Sequence, residues 1–272
     1  MDWQAPWYGA WSGPGALVRK AWAGGVCLHD ALNSAAPAPV RFVAQDALPE
    51  GVPYERFIFD RRECPTRENL HDFFNGLVWH RLPRTKSRLN ELQAAQISAH
   101  GIAGRRGPVR DAITLFDENG ALLDAPQPLW DALLDRDWRR LFVDLRPRWS
   151  EARLLVVGHA LLEKLAAPRK DLTAHVWCEP CALHDLSEAD AWLAGRCTPE
   201  RLGAKPFTPL PLMGIPGWDA GNLNFSFYDD SVVVRPRRRR GRADCAAAGL
   251  ESGADSLIWR PVAPPDITHG AI

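Results

Sequence analysis

The strongest constraint on the fold is an apolar pattern of helical period in residues 69–93, NLHDFFNGLVWHRLPRTKSRLNELQ. Its apolar side chains recur at the i, i+3, i+4, i+7, i+8 spacing of one buried helical face, at Leu70, Phe73, Phe74, Leu77 and Val78. We expect Thr66 to cap this helix and Pro83 to end it, because proline lacks the amide hydrogen and restricts the residue before it. Thr85 then begins a second helix that runs to about His100, so the pattern predicts an αα-hairpin.

The remaining patterns predict a mixture of short strands and helices. Strands are expected at 40–45, 54–60, 172–177 and within 225–236. Helices are expected at 16–34, 129–142 and 190–193, and 153–170 predicts a strand followed by a helix. Asn119-Gly120 between two apolar runs is typical of a β-hairpin over 111–124, and the Pro- and Gly-rich stretch 205–222 indicates an extended loop.

The order of these elements favours one fold class. Strands and helices do not alternate regularly, which excludes a doubly wound parallel sheet. We therefore expect an α+β fold, a single domain in which a small, mostly antiparallel sheet is packed by Trp-rich helices, including the αα-hairpin. Residues 1–39 are expected to form an arm and helix that dock on a globular domain of residues 40–236, and 237–272 an Arg-rich, disordered tail.

Composition excludes several classes of protein. The 272 residues carry 33 basic and 33 acidic side chains, so net charge gives no overall attraction to nucleic acid or to a membrane surface. No stretch approaches the roughly 20 apolar residues of a membrane helix, and the N-terminus lacks the pattern of a secretory signal. The six cysteines are then expected to be reduced thiols in a soluble cytoplasmic protein.

Polar residues along the first predicted helix form one candidate site. His71, Asn75 and Trp79 stand at i, i+4 and i+8 and therefore share one line beside the apolar face. Asp72 is adjacent and could also contact a ligand. The line is expected to border a pocket, although polar residues at a helix edge can equally be satisfied by neighbouring backbone.

A basic cluster follows at the start of the second predicted helix. Arg84, Lys86 and Asn90 could face His71 across the turn at Pro83, and Arg110 could join them. Basic side chains near a helix N-terminus are suited to a small anionic ligand or a nucleotide. We therefore treat these residues as candidate ligand-binding residues, with Arg105 and Arg106 extending the same positive surface.

A second histidine occurs in GHALLEK, where His159 and Glu163 are four residues apart on a predicted helix. Such a pair can share a proton or a metal ion, or can simply form one intrahelical hydrogen bond. Together with His71 and Asn75 these two are the candidate catalytic residues. Convergence of His71, His159 and Glu163 would create three ligands, but their spacing alone assigns no metal and no cofactor.

Two further stretches carry residues with metal- or phosphate-binding chemistry. AHVWCEPCALHD holds His175, Cys178, Cys181 and His184, but zinc sites usually draw ligand pairs from separated segments, so packing thiols near a turn are the favoured interpretation. The run RPRRRRGR could bind nucleic acid through its phosphates or be a solvated tail. Its arginines are Arg235, Arg237, Arg238, Arg239, Arg240 and Arg242.

Four long blocks occur in order: HDFFNGLVWHRLPRTKSRLN, RGPVRDAITLFDENGALL, VVGHALLEKL and PLMGIPGWDAGNLNFSFYDD. Together they resemble the bacterial family DUF3025, a domain of unknown function, over roughly residues 40–236. The resemblance implies no activity, cofactor or catalytic residue.

Three classes of function therefore remain open. The first is an enzyme, with His71 or His159 as general acid or base and Asn75 orienting the substrate. The second is a nucleic-acid-associated protein that uses the basic hairpin and the Arg-rich tail. The third is a protein-interaction module in which tryptophans form both a core and an exposed patch. The pairing of a histidine with a polar partner in two separate blocks favours the first.

Overall fold

Helices form most of the part of the chain that the computed structural model describes, residues 1–101 and 107–234. These residues all belong to one unit, Met1–Pro236. The predicted tail at 237–272 lies outside the described residues, as do the arginines from Arg235 onwards and the pair Arg105 and Arg106. Within the two described ranges, no helix is both long and apolar enough to cross a lipid bilayer.

The described α-helices follow one another in ten segments. They are α1 (Ser12–Ala23), α2 (Leu28–Ala35), α3 (Tyr54–Arg61), α4 (Leu70–Arg81), α5 (Pro83–His100), α6 (Pro108–Asn119), α7 (Gln127–Asp135), α8 (His159–Lys164), α9 (Leu186–Arg196) and α10 (Pro199–Gly203). A π-helical segment occupies Arg140–Asp144, and short 3-10 turns lie between the longer elements.

The strands form two small sheets. They are β1 (Arg41–Ala44), β2 (Glu63–Thr66), β3 (Gly120–Asp124), β4 (Arg153–Val156), β5 (Thr173–Trp177) and β6 (Phe207–Pro211). β1 and β2 pair in parallel, and the larger sheet has the order β4-β3-β5-β6. In that sheet β3 is antiparallel to β4 and parallel to β5, while β5 is antiparallel to β6. The predicted mixed fold with a small, mostly antiparallel sheet is confirmed.

Helix α4 lies at the centre of the molecule. Of its predicted apolar face, Leu70 is partly buried and the other four residues are buried. Every residue from Asp72 to Trp79 is buried, so this part of the helix is enclosed on all sides. Asn69, and not Thr66, caps it by accepting a hydrogen bond from the Asp72 backbone amide at 2.8 Å. Thr66 is unavailable because it is the last residue of β2. Pro83 begins α5, where its missing amide hydrogen costs nothing.

The strand predicted over 54–60 is wrong, because these residues form α3. Phe57 and Ile58 are its buried residues, one helical turn beyond Tyr54, as one face of a helix requires. The aromatic and β-branched content of the segment favoured a strand, but its apolar spacing of three and four residues decides the outcome.

The β-hairpin predicted over 111–124 is also wrong. Residues Pro108–Asn119 form α6, and the chain turns directly into β3 at Gly120. Gly120 has a φ of −72°, so the Asn-Gly pair makes no positive-φ turn there. Ala112, Ile113 and Phe116 bury one helical face instead, and the ring of Phe116 packs on Trp177 of β5 with centroids 5.5 Å apart.

Smaller corrections concern four other segments. The helix predicted over 16–34 is interrupted between α1 and α2. The loop predicted over 205–222 contains strand β6. Of the strand predicted within 225–236, the described residues 225–234 contain a 3-10 turn over Phe225–Asp229 and no strand. The helix predicted over 129–142 ends at Asp135.

The N-terminal residues pack on the helices that follow. Trp11 is fully buried, and the hydroxyl of Tyr8 donates a hydrogen bond to the carbonyl oxygen of Leu162 in α8 at 2.9 Å. The ring of Tyr8 also stacks on Phe74 of α4, with centroids 5.6 Å apart. The aromatic N-terminal residues therefore support α4 and α8.

The burial of His80 makes the stability of the fold depend on pH. Its ring stacks on Phe42 with centroids 5.4 Å apart, and neither ring nitrogen has a hydrogen-bond partner among the described residues. Burial lowers the pKa of His80 from 6.5 to about 4. The unfolded chain therefore binds a proton that the folded chain does not, and stability falls as the pH drops from about 6.5 towards 4.

We expect His80→Phe, which keeps the stacked ring and removes the titration, to reduce that loss. Between pH 8 and pH 4.5 the free energy of unfolding should fall by roughly 1–2 kcal/mol less than in the wild type, a range discounted for partial exposure of the ring. Urea unfolding at the two pH values measures this. His100→Gln, at the exposed end of α5, serves as control, and equal losses in wild type and His80→Phe would contradict the assignment.

Gly158 allows α8 to approach α6 closely. A Cβ atom at Gly158 would lie 2.5 Å from the backbone of Asn119. We expect Gly158→Ala to lose at least about 2 kcal/mol of unfolding free energy, because backbone atoms cannot move aside. Gly195→Ala is the matched control: an exposed glycine in α9 with open space around its Cβ position, it should gain about 0.5–1 kcal/mol. Chemical denaturation compares the two variants.

Candidate functional site

A cavity of about 360 Å³ lies where α3, α4, α5, α6 and α8 meet. Its walls are mostly polar, in contrast to the surrounding apolar core. They are formed by Gln45, Leu48, Tyr54, Glu55, Ile58, Arg67, His71, Asp72, Asn75, Trp79, Lys86, Leu89, Asn90, Gln93, Ile113, Thr114, Asp117, Glu118 and His159. So many ionisable side chains in one partly enclosed space indicate a functional site.

Two histidines from different helices meet in this cavity. His71 lies in the first turn of α4 and His159 is the first residue of α8. Their Nε2 atoms are 3.0 Å apart, and the rings are nearly perpendicular with centroids 4.5 Å apart. The close approach of Gly158 to the end of α6 fixes the start of α8 and therefore the position of His159.

Carboxylates lie close to both imidazole rings. The Nδ1 atom of His71 is 3.1 Å from Oε2 of Glu163, and the Nδ1 atom of His159 is 3.6 Å from Oδ2 of Asp117. Oε1 of Glu118 is 3.6 Å from Nε2 of His159. His71, Glu118 and His159 thus offer three ligand atoms that all lie within 4.8 Å of one another.

His159 is held in its uncharged form. It is 4% exposed, and burial lowers its pKa to about 3, although the Asp117 carboxylate acts in the opposite direction. An uncharged imidazole has one nitrogen with a lone pair, which is the form that binds a metal ion or accepts a proton.

A buried ion pair connects α5 to α6 beside the histidines. Nζ of Lys86 lies 2.7 and 2.9 Å from the two carboxylate oxygens of Asp117. Burial alone would raise the pKa of Asp117, but the charge and the hydrogen bonds of Lys86 outweigh it and hold the pKa below its usual value. The Lys86 ammonium group also lies 5.5 Å from the centre of the Trp79 ring. Lys86 is therefore committed to Asp117 and does not present a free cation to the cavity.

The other cavity acids differ in whether they have a basic partner. Asp72 accepts two hydrogen bonds from the Arg67 guanidinium group, the shorter at 2.8 Å. Glu55 and Glu118 have no lysine or arginine within salt-bridge distance in the part of the chain that the structure describes. Burial, and secondarily the nearby Asp117 carboxylate, raises the pKa of both. Two carboxylates in the cavity are thus left without a cation.

Two buried asparagines in the cavity walls each have a side-chain oxygen without a hydrogen-bond donor among the described residues. The Nδ2 group of Asn90 donates to the Glu55 carbonyl oxygen at 2.8 Å and to its carboxylate at 3.1 Å. Asn75 donates through Nδ2 to the hydroxyl of Tyr54 at 3.3 Å. The Oδ1 atoms of both side chains have no hydrogen-bond partner among the described residues, which is uncommon for buried polar atoms and typical of functional sites.

Most of the residues singled out in the sequence lie at this cavity. The structure places seven of them in its walls: His71, Asp72, Asn75, Trp79, Lys86, Asn90 and His159. Glu163 lies behind His71 and contacts it through Nδ1. The convergence of His71, His159 and Glu163, which spacing could not decide, is present in the geometry.

Arg84 and Arg110 are not in the cavity walls. The contact of Arg84 with Asp190 uses its backbone amide, at 2.9 Å, and Arg110 donates through Nε to Gln93 at 3.4 Å. The basic cluster suggested for a small anionic ligand is therefore not assembled around His71, and its one basic side chain in the cavity walls, Lys86, is already paired.

Three acidic residues of the site were missed in the sequence. Asp117 and Glu118 fall within the β-hairpin predicted over 111–124, and Glu55 falls within the strand predicted over 54–60. All three lie on helices and reach the cavity. The signal that could have found them is the helical spacing of buried residues in α3 and α6, which places these acids beside the apolar face.

The residues of AHVWCEPCALHD serve other contacts. Cys178 donates to the carbonyl oxygen of Val176 at 3.9 Å, and Nδ1 of His184 lies 2.6 Å from a guanidinium nitrogen of Arg153. Over the two described ranges, the groups with metal-ligand geometry are the cavity trio and a surface set of Cys27, His29 and Glu68. In that surface set the Glu68 carboxylate already accepts hydrogen bonds from the backbone of α2 and from Trp22.

Comparison with known proteins identifies a family and nothing further. A family model described as "Protein of unknown function (DUF3025)" matches residues 40–238, a span that includes every residue of the cavity walls. No curated protein and no solved structure matches the chain. The matched span covers well over half of the 272 residues, and the chain therefore belongs to the DUF3025 family.

Proposed function

We propose that the chain is an enzyme and that the cavity holding His71 and His159 is its active site. The observation that carries the proposal is the contact of the two Nε2 atoms at 3.0 Å inside a polar cavity, with a carboxylate near the Nδ1 atom of each ring. A protein core would be more stable with apolar side chains at these positions. Polar and ionisable side chains that lie together in a protein interior in spite of that cost are typical of catalytic sites.

The geometry supports a distinct role for each group. The Nε2 atoms of His71 and His159 are the groups that take part in the reaction. Glu163 is a positioning residue, because its contact with Nδ1 fixes the ring orientation of His71. Asn75 and Asn90 supply amide oxygens that have no hydrogen-bond partner in the described part of the chain and can orient the substrate. The cavity of about 360 Å³ lies in the range of roughly 300–1,000 Å³ that is usual for small-molecule sites. The substrate is therefore a small molecule.

The alternative functions have less support. A nucleic-acid-associated protein would need a continuous basic surface, but Arg84 and Arg110 lie away from the cavity and the Arg-rich run is outside the described residues. A protein-interaction module does not explain buried polar atoms without partners. We also propose a cytoplasmic location, since the five cysteines of the described part of the chain are all free thiols.

The test of this proposal is consumption of a small molecule. The purified full-length chain is incubated with a protein-free metabolite extract, in buffer with divalent metal salts, and mass spectrometry follows which compounds disappear. We expect His71→Gln and His159→Gln to slow the consumption of the same compound at least about 100-fold, since loss of a group at the reacting centre usually costs that much or more.

The matched control is His100→Gln, which changes a histidine at the exposed end of α5 and should keep the wild-type rate. Circular dichroism and thermal unfolding establish that each variant is folded. Folded His71→Gln and His159→Gln variants that retain the wild-type rate would exclude this cavity as the active site. Absence of any consumption by the wild type would favour the interaction module.

A further inference from the structure

The two facing Nε2 atoms need a proton or a cation between them, because two lone pairs 3.0 Å apart repel each other. The Nδ1 atom of His71 lies 3.1 Å from a Glu163 carboxylate oxygen, so in the uncharged ring this nitrogen carries the hydrogen. The Nε2 atom of His71 then carries no hydrogen and has a free lone pair. If a proton fills the gap, it belongs to Nε2 of His159.

That arrangement leaves the other nitrogen of His159 unsatisfied. Its Nδ1 would be a buried lone pair with no hydrogen-bond partner among the described residues, 3.6 Å from the Asp117 carboxylate oxygen Oδ2. A buried acceptor without a donor costs roughly 1–3 kcal/mol. The opposite tautomer places hydrogen on Nδ1, where the negative charge of the Asp117 carboxylate at 3.6 Å attracts it, and this lowers the cost. Both Nε2 atoms then carry a lone pair, and the two lone pairs lie on either side of the same point.

The spacing of the ligand atoms fits a metal ion at that point. An ion such as Zn²⁺ binds imidazole nitrogens at about 2.0–2.1 Å, so a tetrahedral site places two nitrogens about 3.3 Å apart. The Nε2 atoms are 3.0 Å apart and Oε1 of Glu118 is 3.6 Å from the Nε2 of His159. Two histidines and one glutamate form a ligand set of the zinc enzymes that keep a fourth position for water or substrate.

The charge of the cavity points to a dication. Its walls contain four carboxylates and two basic side chains, namely Glu55, Asp72, Asp117, Glu118, Arg67 and Lys86. Arg67 and Lys86 neutralise Asp72 and Asp117, which leaves Glu55 and Glu118 without a cation. Ionised carboxylates without a cation are costly in a partly enclosed space. One divalent cation carries the charge that compensates both carboxylates.

We infer that His71, Glu118 and His159 hold one divalent transition metal ion of the zinc class. The inference rests on the proposed active site and names the metal ion that the facing histidines would bind there. Glu163 and Asp117 act on the outer nitrogens of the two imidazoles and orient them, as carboxylates behind metal-binding histidines commonly do. His71 and His159 are then ligands, and the acid–base role considered for them from the sequence does not apply.

The reaction class that follows is hydrolysis. A position left open by three protein ligands accepts water, and a bound metal ion lowers the pKa of that water towards about 7. Water held there would lose one proton, and its oxygen would form a bond to the electrophilic atom of the substrate. The bond from that atom to the leaving group would break, and the leaving group would take up the proton. No oxidant or reductant is needed.

The test measures metal binding without reference to activity. The full-length chain is stripped with a chelator and titrated with Zn²⁺ by calorimetry and with Co²⁺ by visible absorption. We expect one equivalent of tightly bound Zn²⁺ and a Co²⁺ spectrum without sulfur-to-metal charge transfer, which separates this site from the cysteines. Zn²⁺ should also raise the unfolding temperature of the wild type.

Substitutions distinguish the ligands from the residues behind them. His71→Ala, Glu118→Gln and His159→Ala should each weaken Zn²⁺ binding at least 100-fold. Glu163→Gln should weaken it only about 10- to 100-fold, because it removes an orienting partner and no ligand. Glu91→Gln and His100→Ala, at exposed positions of α5, are the matched controls and should bind like the wild type.

Two results would overturn the inference. One is a chain that binds no stoichiometric Zn²⁺, and the other is Zn²⁺ binding that survives in folded Glu118→Gln and His159→Ala. If either occurred while His71→Gln still abolished consumption of a metabolite, the proposed active site would stand without the metal. If Zn²⁺ bound as expected and no metabolite were consumed, the metal site would stand and the enzymatic proposal would fail.

Discussion

The buried ion pair between Lys86 and Asp117 is the interaction on which the site depends. It joins α5 to the C-terminal end of α6, and Asp117 in turn lies beside His159 at the start of α8. Removal of one partner from such a pair costs roughly 3–5 kcal/mol, since the other charge remains buried without compensation. The pair therefore fixes three helices relative to one another and brings Glu118, the next residue, to the histidines.

The same principle explains why the cavity can contain so many charges. Each fully paired acid has its own cation, Asp117 with Lys86 and Asp72 with Arg67. Glu55 and Glu118 have no such cation among the described residues. Burial raises the pKa of each. The charges that support the helices are thus compensated, whereas these two acids in the cavity walls have no lysine or arginine partner among the described residues. That distribution, more than any single residue, separates this cavity from a polar defect in a core.

The successes and failures of the sequence predictions have a common physical cause. The buried face of α4 and the strand β5 were predicted because their apolar spacing is regular and unambiguous. The segments that form α3 and α6 were assigned to strands, since short apolar runs fit either period and Asn119-Gly120 suggested a turn. These two errors concealed Glu55, Asp117 and Glu118. The histidines, Asn75 and Glu163 were found because polar residues at helical spacing are visible in the sequence itself.

The sequence by itself determined the family, the mixed α and β composition, the central helix and two helices that each carry a histidine with a polar partner. These follow from local periodicity and from residue identity, which a chain displays without folding. Only the tertiary structure decided that His71 and His159 meet at 3.0 Å and that Arg84 and Arg110 stay away from them. It also decided that two cavity carboxylates have no lysine or arginine partner among the described residues. Contacts between residues 88 positions apart depend on how helices pack against one another, and no local pattern encodes that packing.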